Sequence, residues 1–414
     1  VAYYRVSQYE YYIRPEKKED YYMLFRAIEN DLSKIDAIID FWPINMTNTI
    51  FGQAMNMDNQ YYGYGAALYI TQCLLDNAMN AFVNAKFWIV TKNAVSITSE
   101  GIGSNFEQAS LWGLGRVISN ESPEIFGGII DIDKSDLISC DCIYSALLNK
   151  FHDSSFCAIR KNEVYAQKLN ICKNRYNTAN IFRMYQDGCY VVTGGNGGLG
   201  KLLIHWLVKN GVTKIAILSR SIESKITSSL PQNIICKHYS CDISDEHQVQ
   251  LMLEKIDSEL ANIKGVFHLA GKIIDKPLIK QTWTDYIKVF KPKMLGLWNI
   301  YRVLINYNLD CFIVFSSIAS MIGTKGQANY AATNAVIDAF AYWSMNYNIP
   351  VTSISWGLWD AQGMREQMNS HVQKYLFKQG IGTIKSETAL SVMNKMIEQG
   401  IHHSGYANFD IEQY

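Results

Sequence analysis

One stretch constrains this chain more than any other: Cys189-Tyr-Val-Val-Thr-Gly-Gly-Asn-Gly-Gly-Leu-Gly-Lys-Leu-Leu-Ile-His-Trp-Leu-Val-Lys209. Tyr190, Val191 and Val192 form a short apolar, β-prone run. Thr193, Gly194, Gly198 and Gly200 then satisfy T-G-x-x-x-G-x-G, and Leu202, Leu203, Trp206 and Leu207 recur at helical spacing. Strand, glycine turn and helix in that order have the physics of a dinucleotide site. Glycines let backbone N–H groups approach a pyrophosphate, and the positive end of the following helix faces it. A glycine-rich turn in an ordinary α/β domain has the same spacing, so the reading depends on the rest of the chain.

The 414 residues suffice for two domains, and 48% hydrophobic residues with only seven prolines provide for large cores. Lys plus Arg and Asp plus Glu number 38 each, a balance that argues against nucleic-acid or anionic-membrane partners. No apolar run approaches the roughly 18 residues of a transmembrane helix. Nine scattered cysteines without a C-x-x-C read as buried reduced thiols of a cytoplasmic protein, and no metal site is expected. The start at Val1, without a signal peptide, reads as a piece of a longer protein.

Residues 1–30, rich in tyrosine and charge, suggest an edge strand or hairpin. Strands are expected at Lys34–Phe41 (buried), Lys86–Thr91 and Gly127–Asp133, helices at Tyr64–Leu75, Gln108–Ile118 and Cys142–Leu148, and a closing hairpin at Phe156–Arg160 and Glu163–Ala166. Strands alternating with helices imply a parallel sheet covered on both faces. No glycine phosphate loop opens this half. The polar, weakly patterned residues 171–187 mark the boundary between domains at 1–180 and 181–414.

The second half follows the glycine motif with the strand Lys214–Arg220. Arg220, at its end, stands where an adenosine 2′-phosphate lies and where an acid favours NAD, so it points to NADPH. A third strand ends at Asp242, an acid suited to hydrogen-bond adenine. A fourth, Lys264–Gly271, runs into small residues that let the backbone lie against the cofactor ribose, and its His268 suits a packed strand end better than catalysis.

The halves repeat: Ala37-Ile-Ile-Asp-Phe-Trp parallels Gly265-Val-Phe-His-Leu-Ala, Phe87-Trp-Ile-Val parallels Phe312-Ile-Val-Phe, and Gln108–Gly115 parallels Gln327–Asn334. Leu111 then corresponds to Tyr330 and Gly115 to Asn334. The first copy reads as structural and the second as the working one.

The chemistry collects in that second copy. The strand from Phe312 delivers serines to its carboxyl end, where open α/β sheets place ligands. Tyr330 comes thirteen residues after Ser317, Asn334 lies one helical turn beyond it on the same face, and Lys293 lies upstream on a helix, with Lys291 as a rival.

These residues carry a resemblance. The motifs Thr193-Gly-Gly-Asn-Gly-Gly-Leu-Gly200, Leu-Ser-Arg220, Cys-Asp242, His-Leu-Ala-Gly271, Lys293-x-x-Gly296, Phe-Ser-Ser317, Gln-Ala-Asn-Tyr330-x-x-x-Asn334 and Ser-Trp-Gly-Leu-Trp359 resemble the ketoreductase domains of modular polyketide synthases, a branch of the short-chain dehydrogenase/reductases. Gly113-Leu-Gly-Arg-Val-Ile-Ser-Asn-Glu-Ser-Pro123 resembles that family's structural subdomain. The resemblance implies an α/β fold of two Rossmann-like, doubly wound parallel-sheet subdomains, the first truncated and structural, the second catalytic. It implies NADPH as cofactor, held by Thr193, Gly194, Gly195, Asn196, Gly197, Gly198, Leu199, Ser219, Arg220, Cys241, Asp242, Ile243, His268, Leu269, Ala270 and Gly271. It implies Tyr330 as general acid, Ser317 stabilising the same oxygen, Lys293 easing proton exchange, and Asn334 orienting that lysine or a relay water. Most short-chain reductases place a lysine four residues after the tyrosine; Asn334 stands there, as in this branch.

The implied substrate is a β-ketoacyl thioester on the phosphopantetheine of an acyl carrier protein, with neighbouring synthase domains as partners. Asp275 resembles the fingerprint of B-type reductases, which give the D-alcohol; Ile322 replaces the A-type tryptophan, and Ala332 the proline some B-types carry. Gly363 through Gly380 resembles a lid, and Ser404 onward a last strand of the catalytic sheet. A non-catalytic scaffold of the same fold and a free-standing short-chain dehydrogenase are the competing readings.

Overall fold

The structure, a computed structural model, describes residues 3–47, 49, 53–76, 79–97, 105–133, 140–148, 155–171, 184, 187–221, 226–260, 262–347, 349, 351–360 and 370–410. Much of the 171–187 boundary and residues 363–369 of the expected lid lie outside them. The chain forms two compact units. One holds residues 1–170 with 276–283 and 323–332; the other holds 171–275, 284–322 and 333–414.

The first unit opens with a small antiparallel hairpin, β1 (Tyr4–Arg5) and β2 (Tyr11–Tyr12). The hairpin expected in residues 1–30 is therefore present, but it is followed by a helix the sequence reading did not contain, α1 (Lys18–Asp31). Tyr21 and Phe25, one turn apart, are its buried anchors, and the surrounding tyrosines and charges hide that short apolar stripe. Then come β3 (Ala37–Asp40), a π-turn at Tyr61–Gly65 leading into α2 (Ala66–Leu74), β4 (Lys86–Lys92), α3 (Ala109–Glu121), β5 (Phe126–Ile132), α4 (Cys140–Leu147), β6 (Phe156–Arg160) and β7 (Glu163–Ala166). The sheet order is β3-β4-β5-β6-β7, parallel except for the closing β6–β7 hairpin. The strand expected to be buried at 34–41 is instead an edge strand, with only Asp40 fully buried.

This unit also grips its two later segments. Glu121 accepts hydrogen bonds from the backbone N–H groups of Leu278 (2.9 Å) and Gly326 (2.5 Å). Gln72 donates to the carbonyls of Leu278 and Gln281, both at 2.8 Å, and Tyr61 stacks on Trp283 at 4.0 Å. Gly113 is required where α3 meets the 323–332 segment: a Cβ there would lie 2.4 Å from the Ala331 carbonyl oxygen.

The second unit runs through β8 (Cys189–Thr193), α5 (Gly198–Lys209), β9 (Lys214–Ser219), β10 (Ile235–Ser240), α6 (Glu246–Leu260), β11 (Ile263–His268), α7 (Trp283–Phe290), a π-turn at Lys291–Leu295, α8 (Gly296–Leu304), β12 (Cys311–Ser317), α9 (Ala319–Ile322) and α10 (Ala328–Ser344). It continues with β13 (Val351–Trp356), β14 (Leu358–Trp359), α11 (Ser370–Lys378), β15 (Ile381–Ile384), α12 (Ser386–Glu398), β16 (His403–Tyr406) and β17 (Asn408–Phe409). Trp283 counts with the first unit, and α10 passes from the first unit into the second after Ala332. Seven parallel strands form one sheet in the order β10-β9-β8-β11-β12-β13-β16, so the expected last strand joins it at the β16 edge. Strand order reverses between β8 and β11, the switch point where such sheets bind ligands beyond their carboxyl ends. Tyr190, Val192, Leu203, Phe267, Ile313 and Trp356 belong to the core beneath it. Among the described residues, no helix is long and apolar enough to cross a membrane, and no group of His, Cys, Asp and Glu is arranged to hold a metal.

Candidate active site

The glycine turn lies at the switch point because β8 is the strand beside it. Gly194 has a φ of +69°, and a Cβ there would stand 2.9 Å from the Ala270 nitrogen. Only glycine allows the turn to lie this close to the 269–271 backbone. Thr193 fixes the same approach: its hydroxyl accepts the Ala270 N–H at 3.1 Å. Gly200 admits the helix, since its Cβ would meet the Gly194 carbonyl oxygen at 2.5 Å. α5 starts after an extended Gly197 without a side-chain cap, which leaves its first N–H groups for an anion. Asn196 donates to the Ser219 hydroxyl (3.1 Å) and the Ser221 carbonyl (3.0 Å), while its buried Oδ1 has no partner. Arg220 is exposed at the end of β9. A glycine-lined turn and an uncapped helix start fit a dinucleotide.

The remaining cofactor candidates are mostly framework. His268 is 1% exposed and both ring nitrogens are occupied: Nε2 donates to the Lys293 carbonyl at 2.8 Å, and Nδ1 lies 3.0 Å from the Thr193 hydroxyl. Burial pulls its pKa down to about 3, so it remains a neutral structural link. Asp242 accepts from the Ser244 N–H (3.0 Å) and hydroxyl (2.7 Å). Cys241 is buried, and Ile243 packs where a Cβ on Gly296 would stand, so α8 can come close. Leu199 is buried at the first turn of α5, whereas Leu269 and Ala270 are half-buried.

Lys293 is the best-defined of the candidate side chains. The π-turn at 291–295 adds a residue to the helix and changes its phase. Lys293 is buried at 5% exposure, while Lys291 is exposed. Its Nζ donates to the Asn334 side-chain oxygen and to the Phe315 carbonyl, both at 2.8 Å. Its stem lies along Gly271, where a Cβ would stand 2.8 Å from Lys293 Cε. Burial lowers the ammonium to about 8, opposed by the charge of Asp338.

Ser317 ends β12, half-buried, its hydroxyl accepting the Ala319 N–H at 3.2 Å. Tyr330 is buried on the first turn of α10, one turn before Asn334. Asp275 is half-buried in the irregular run after Gly271, and the next residue, Lys276, donates its N–H to the Gly326 carbonyl at 2.8 Å.

Two features went unnoticed in the sequence. His238 lies 3.1 Å from the Ser219 hydroxyl at the end of β9. Asp338, a further turn beyond Asn334, accepts from the hydroxyls of Ser320 (2.5 Å), Ser353 (2.7 Å) and Ser355 (3.0 Å) and lies 3.4 Å from His403. Burial would raise its carboxyl, but His403 and the serines hold it at about 2. The recurrence Tyr330, Asn334, Asp338 at four-residue spacing was the available signal.

The parallel sheet with a glycine turn at its switch point makes a Rossmann-like fold, with a buried lysine–asparagine pair beyond it. The KR domain family model matches residues 188–361. A polyketide synthase of Streptomyces halstedii is 28% identical over 359 residues, 85% of this chain and 5% of that protein. An erythronolide synthase of Saccharopolyspora erythraea is 29% identical over 327 residues, 77% of this chain and 10% of that protein. The solved structure of A-type ketoreductases from a modular polyketide synthase superposes with a TM-score of 0.84 at 25% identity, covering 96% of this chain and 82% of the other. The first ketoreductase of the tylosin synthase shares the fold at 21% identity, with a TM-score of 0.84 over 97% of this chain and 84% of its own. The chain matches the ketoreductase domain of a modular polyketide synthase and spans only a small part of the synthases it resembles.

Proposed function

We propose that this chain reduces a β-ketoacyl group, carried on the phosphopantetheine of an acyl carrier protein, to the β-hydroxyacyl group during polyketide assembly, with NADPH as reductant. The observation that carries the reading is Lys293: a buried ammonium, seated on Gly271 and bonded to Asn334, one helical turn from Tyr330. The cofactor, when bound over the glycine turn, supplies a hydride. Tyr330 then gives its phenolic proton to the alkoxide oxygen of the reduced ketone. Ser317 donates a hydrogen bond to that oxygen and stabilises its charge. A free phenol, with a pKa of about 10, exchanges protons slowly near neutrality; the Lys293 charge favours the phenolate and eases exchange. Asn334 fixes the lysine head, and Asp338 favours its charged form.

Arg220, exposed at the end of β9, is suited to pair with a 2′-phosphate, which supports NADPH over NADH. Asp275 supports a B-type, D-alcohol outcome by restricting which face of the ketone meets the hydride. We assign residues 1–180 a structural role and 181–414 the catalysis. The relatives are multidomain synthases, which supports neighbouring synthase domains as partners. The test is NADPH consumption with defined ketoacyl thioesters and chiral analysis of the products. Turnover to the D-alcohol supports the reading, the L-alcohol overturns the stereochemical part, and absence of turnover leaves a scaffold domain instead.

A further inference from the structure

Glu121 ends α3, half-buried, and its carboxylate serves two segments far from it in sequence. One oxygen, Oε2, accepts the Leu278 N–H at 2.9 Å, and the other, Oε1, accepts the Gly326 N–H at 2.5 Å. The two segments are also bonded to each other, since the Lys276 N–H donates to the Gly326 carbonyl at 2.8 Å. Carboxylate, Gly326 and the run from Lys276 to Leu278 thus close a hydrogen-bonded ring. Gln72 holds the Leu278 carbonyl at 2.8 Å, and Asn120, beside Glu121, donates to the Gly323 carbonyl at 3.2 Å.

These segments lie next to the proposed chemistry. Gly323 and Gly326 have φ values of +72° and +82°, so the chain bends through left-handed backbone before α10 begins at Ala328. Tyr330 stands in the first turn of that helix. Lys276 directly follows Asp275 in the irregular run beyond β11. A side chain bonded to both Gly326 and Leu278 therefore fixes the entry to the tyrosine's helix against the exit of the Asp275 run. A carboxylate suits this task, because both its oxygens accept and its charge strengthens bonds from backbone N–H groups. In the corresponding amide one of those oxygens becomes a donor that faces an N–H.

We propose that Glu121 is a positioning and specificity-determining residue of the reduction: it sets where the Tyr330 proton donor stands relative to the run that carries Asp275, and with that both the rate and the ratio of the two alcohol configurations. This role presupposes the reductase function proposed for the chain, and it puts a determinant of product configuration in the unit otherwise assigned to structure. Small displacements suffice, because a reacting group misplaced by about 1 Å can cost on the order of a hundredfold in rate.

The test compares the full wild-type chain with Glu121→Gln and Glu121→Asp, using defined ketoacyl thioesters, NADPH and chiral analysis of the products. Glu121→Gln keeps the size and loses one acceptor. Hydrogen exchange at the Leu278 and Gly326 amides should quicken about tenfold, kcat should fall about tenfold and the ratio of major to minor alcohol about fivefold, while the KM for NADPH stays within about twofold. Glu121→Asp keeps the charge but is one methylene too short to reach both N–H groups; it should lower the same ratio and decides the matter should Glu121→Gln fail to fold. A merely structural loss reduces the amount of active protein and leaves the ratio of products where it was. An unchanged ratio in the folded variants, a KM for NADPH that rises as much as kcat falls, or failure of both variants to fold overturns the proposal, while turnover by the wild type upholds the reductase function. A wild type without turnover overturns both.

Discussion

Lys293→Met removes the buried ammonium and leaves a side chain of similar length. In the folded protein burial brings this group from 10.5 to about 8. At about 1.36 kcal/mol per pKa unit, keeping it protonated opposes folding by roughly 3 kcal/mol at neutral pH. The sign follows from the unfolded chain holding its proton more tightly than the folded one. The penalty is fully present below the folded pKa and is relieved as pH rises from it toward the unfolded value. Methionine carries no such term, but it forfeits the bonds to Asn334 and Phe315, a loss that does not vary with pH in this range. The stability of wild type relative to Lys293→Met should therefore rise by roughly 2–3 kcal/mol between about pH 7 and pH 10, whatever its starting value. Urea titrations of both proteins across that range measure it, and taking the difference cancels other titrating groups. A constant difference, or one that moves the other way, would refute a buried, charged lysine. Turnover of the variant should fall at every pH.

Tyr330→Phe should fold and bind NADPH yet lose turnover by about 10²–10⁴-fold, because only the proton donor is removed; unchanged kcat contradicts the role. Gly271→Ala puts a methyl 2.8 Å from Lys293 Cε and should lower kcat on the order of tenfold with little change in the thermal melt; an unaffected kcat means that the lysine can shift without consequence. Arg220→Ala should narrow the preference of kcat/KM for NADPH over NADH, and a wild type indifferent to the two cofactors contradicts the reading of β9. Asp275→Ala should lower selectivity for the D-alcohol more than total rate, since about 2.7 kcal/mol between the two faces gives a hundredfold bias; chiral analysis of the product decides.

Local rules made the second unit legible. The glycine turn, the apolar strands and the spacing from Ser317 to Asn334 are each set by residues close in sequence. What stayed hidden depends on contacts between distant segments. Lys291 and Lys293, two residues apart, point to different faces of a helix, and the sequence does not say which face is buried; the structure buries Lys293 and exposes Lys291. Asp338 went unnoticed because its serine partners come from α9 and β13, each unremarkable alone. α1 was missed because its buried face is narrow and its tyrosines suggested strands.

The repeat explains what each copy was free to change. Both have a π-turn leading into a helix, Tyr61–Gly65 before α2 and Lys291–Leu295 before α8, which aligns Gly63 with Lys293. In the first copy the places of Lys293, Tyr330 and Asn334 are held by Gly63, Leu111 and Gly115. The freed space is filled by apolar atoms: a Cβ on Gly63 would meet Met46 Sδ at 2.9 Å, and one on Gly115 would meet Ile129 Cδ1 at 2.4 Å. Exchanging a buried ionic group for close apolar packing is the direction that favours stability when no chemistry is required. α3, relieved of a tyrosine and its partner, serves instead as a clamp. Its Glu121 holds the Gly326 N–H four residues before Tyr330, and its Gly113 lies against Ala331, the residue after it. The first copy thus repeats the π-turn that leads into a helix, packs apolar atoms at the positions of Lys293, Tyr330 and Asn334, and uses α3 to fix the backbone on either side of Tyr330.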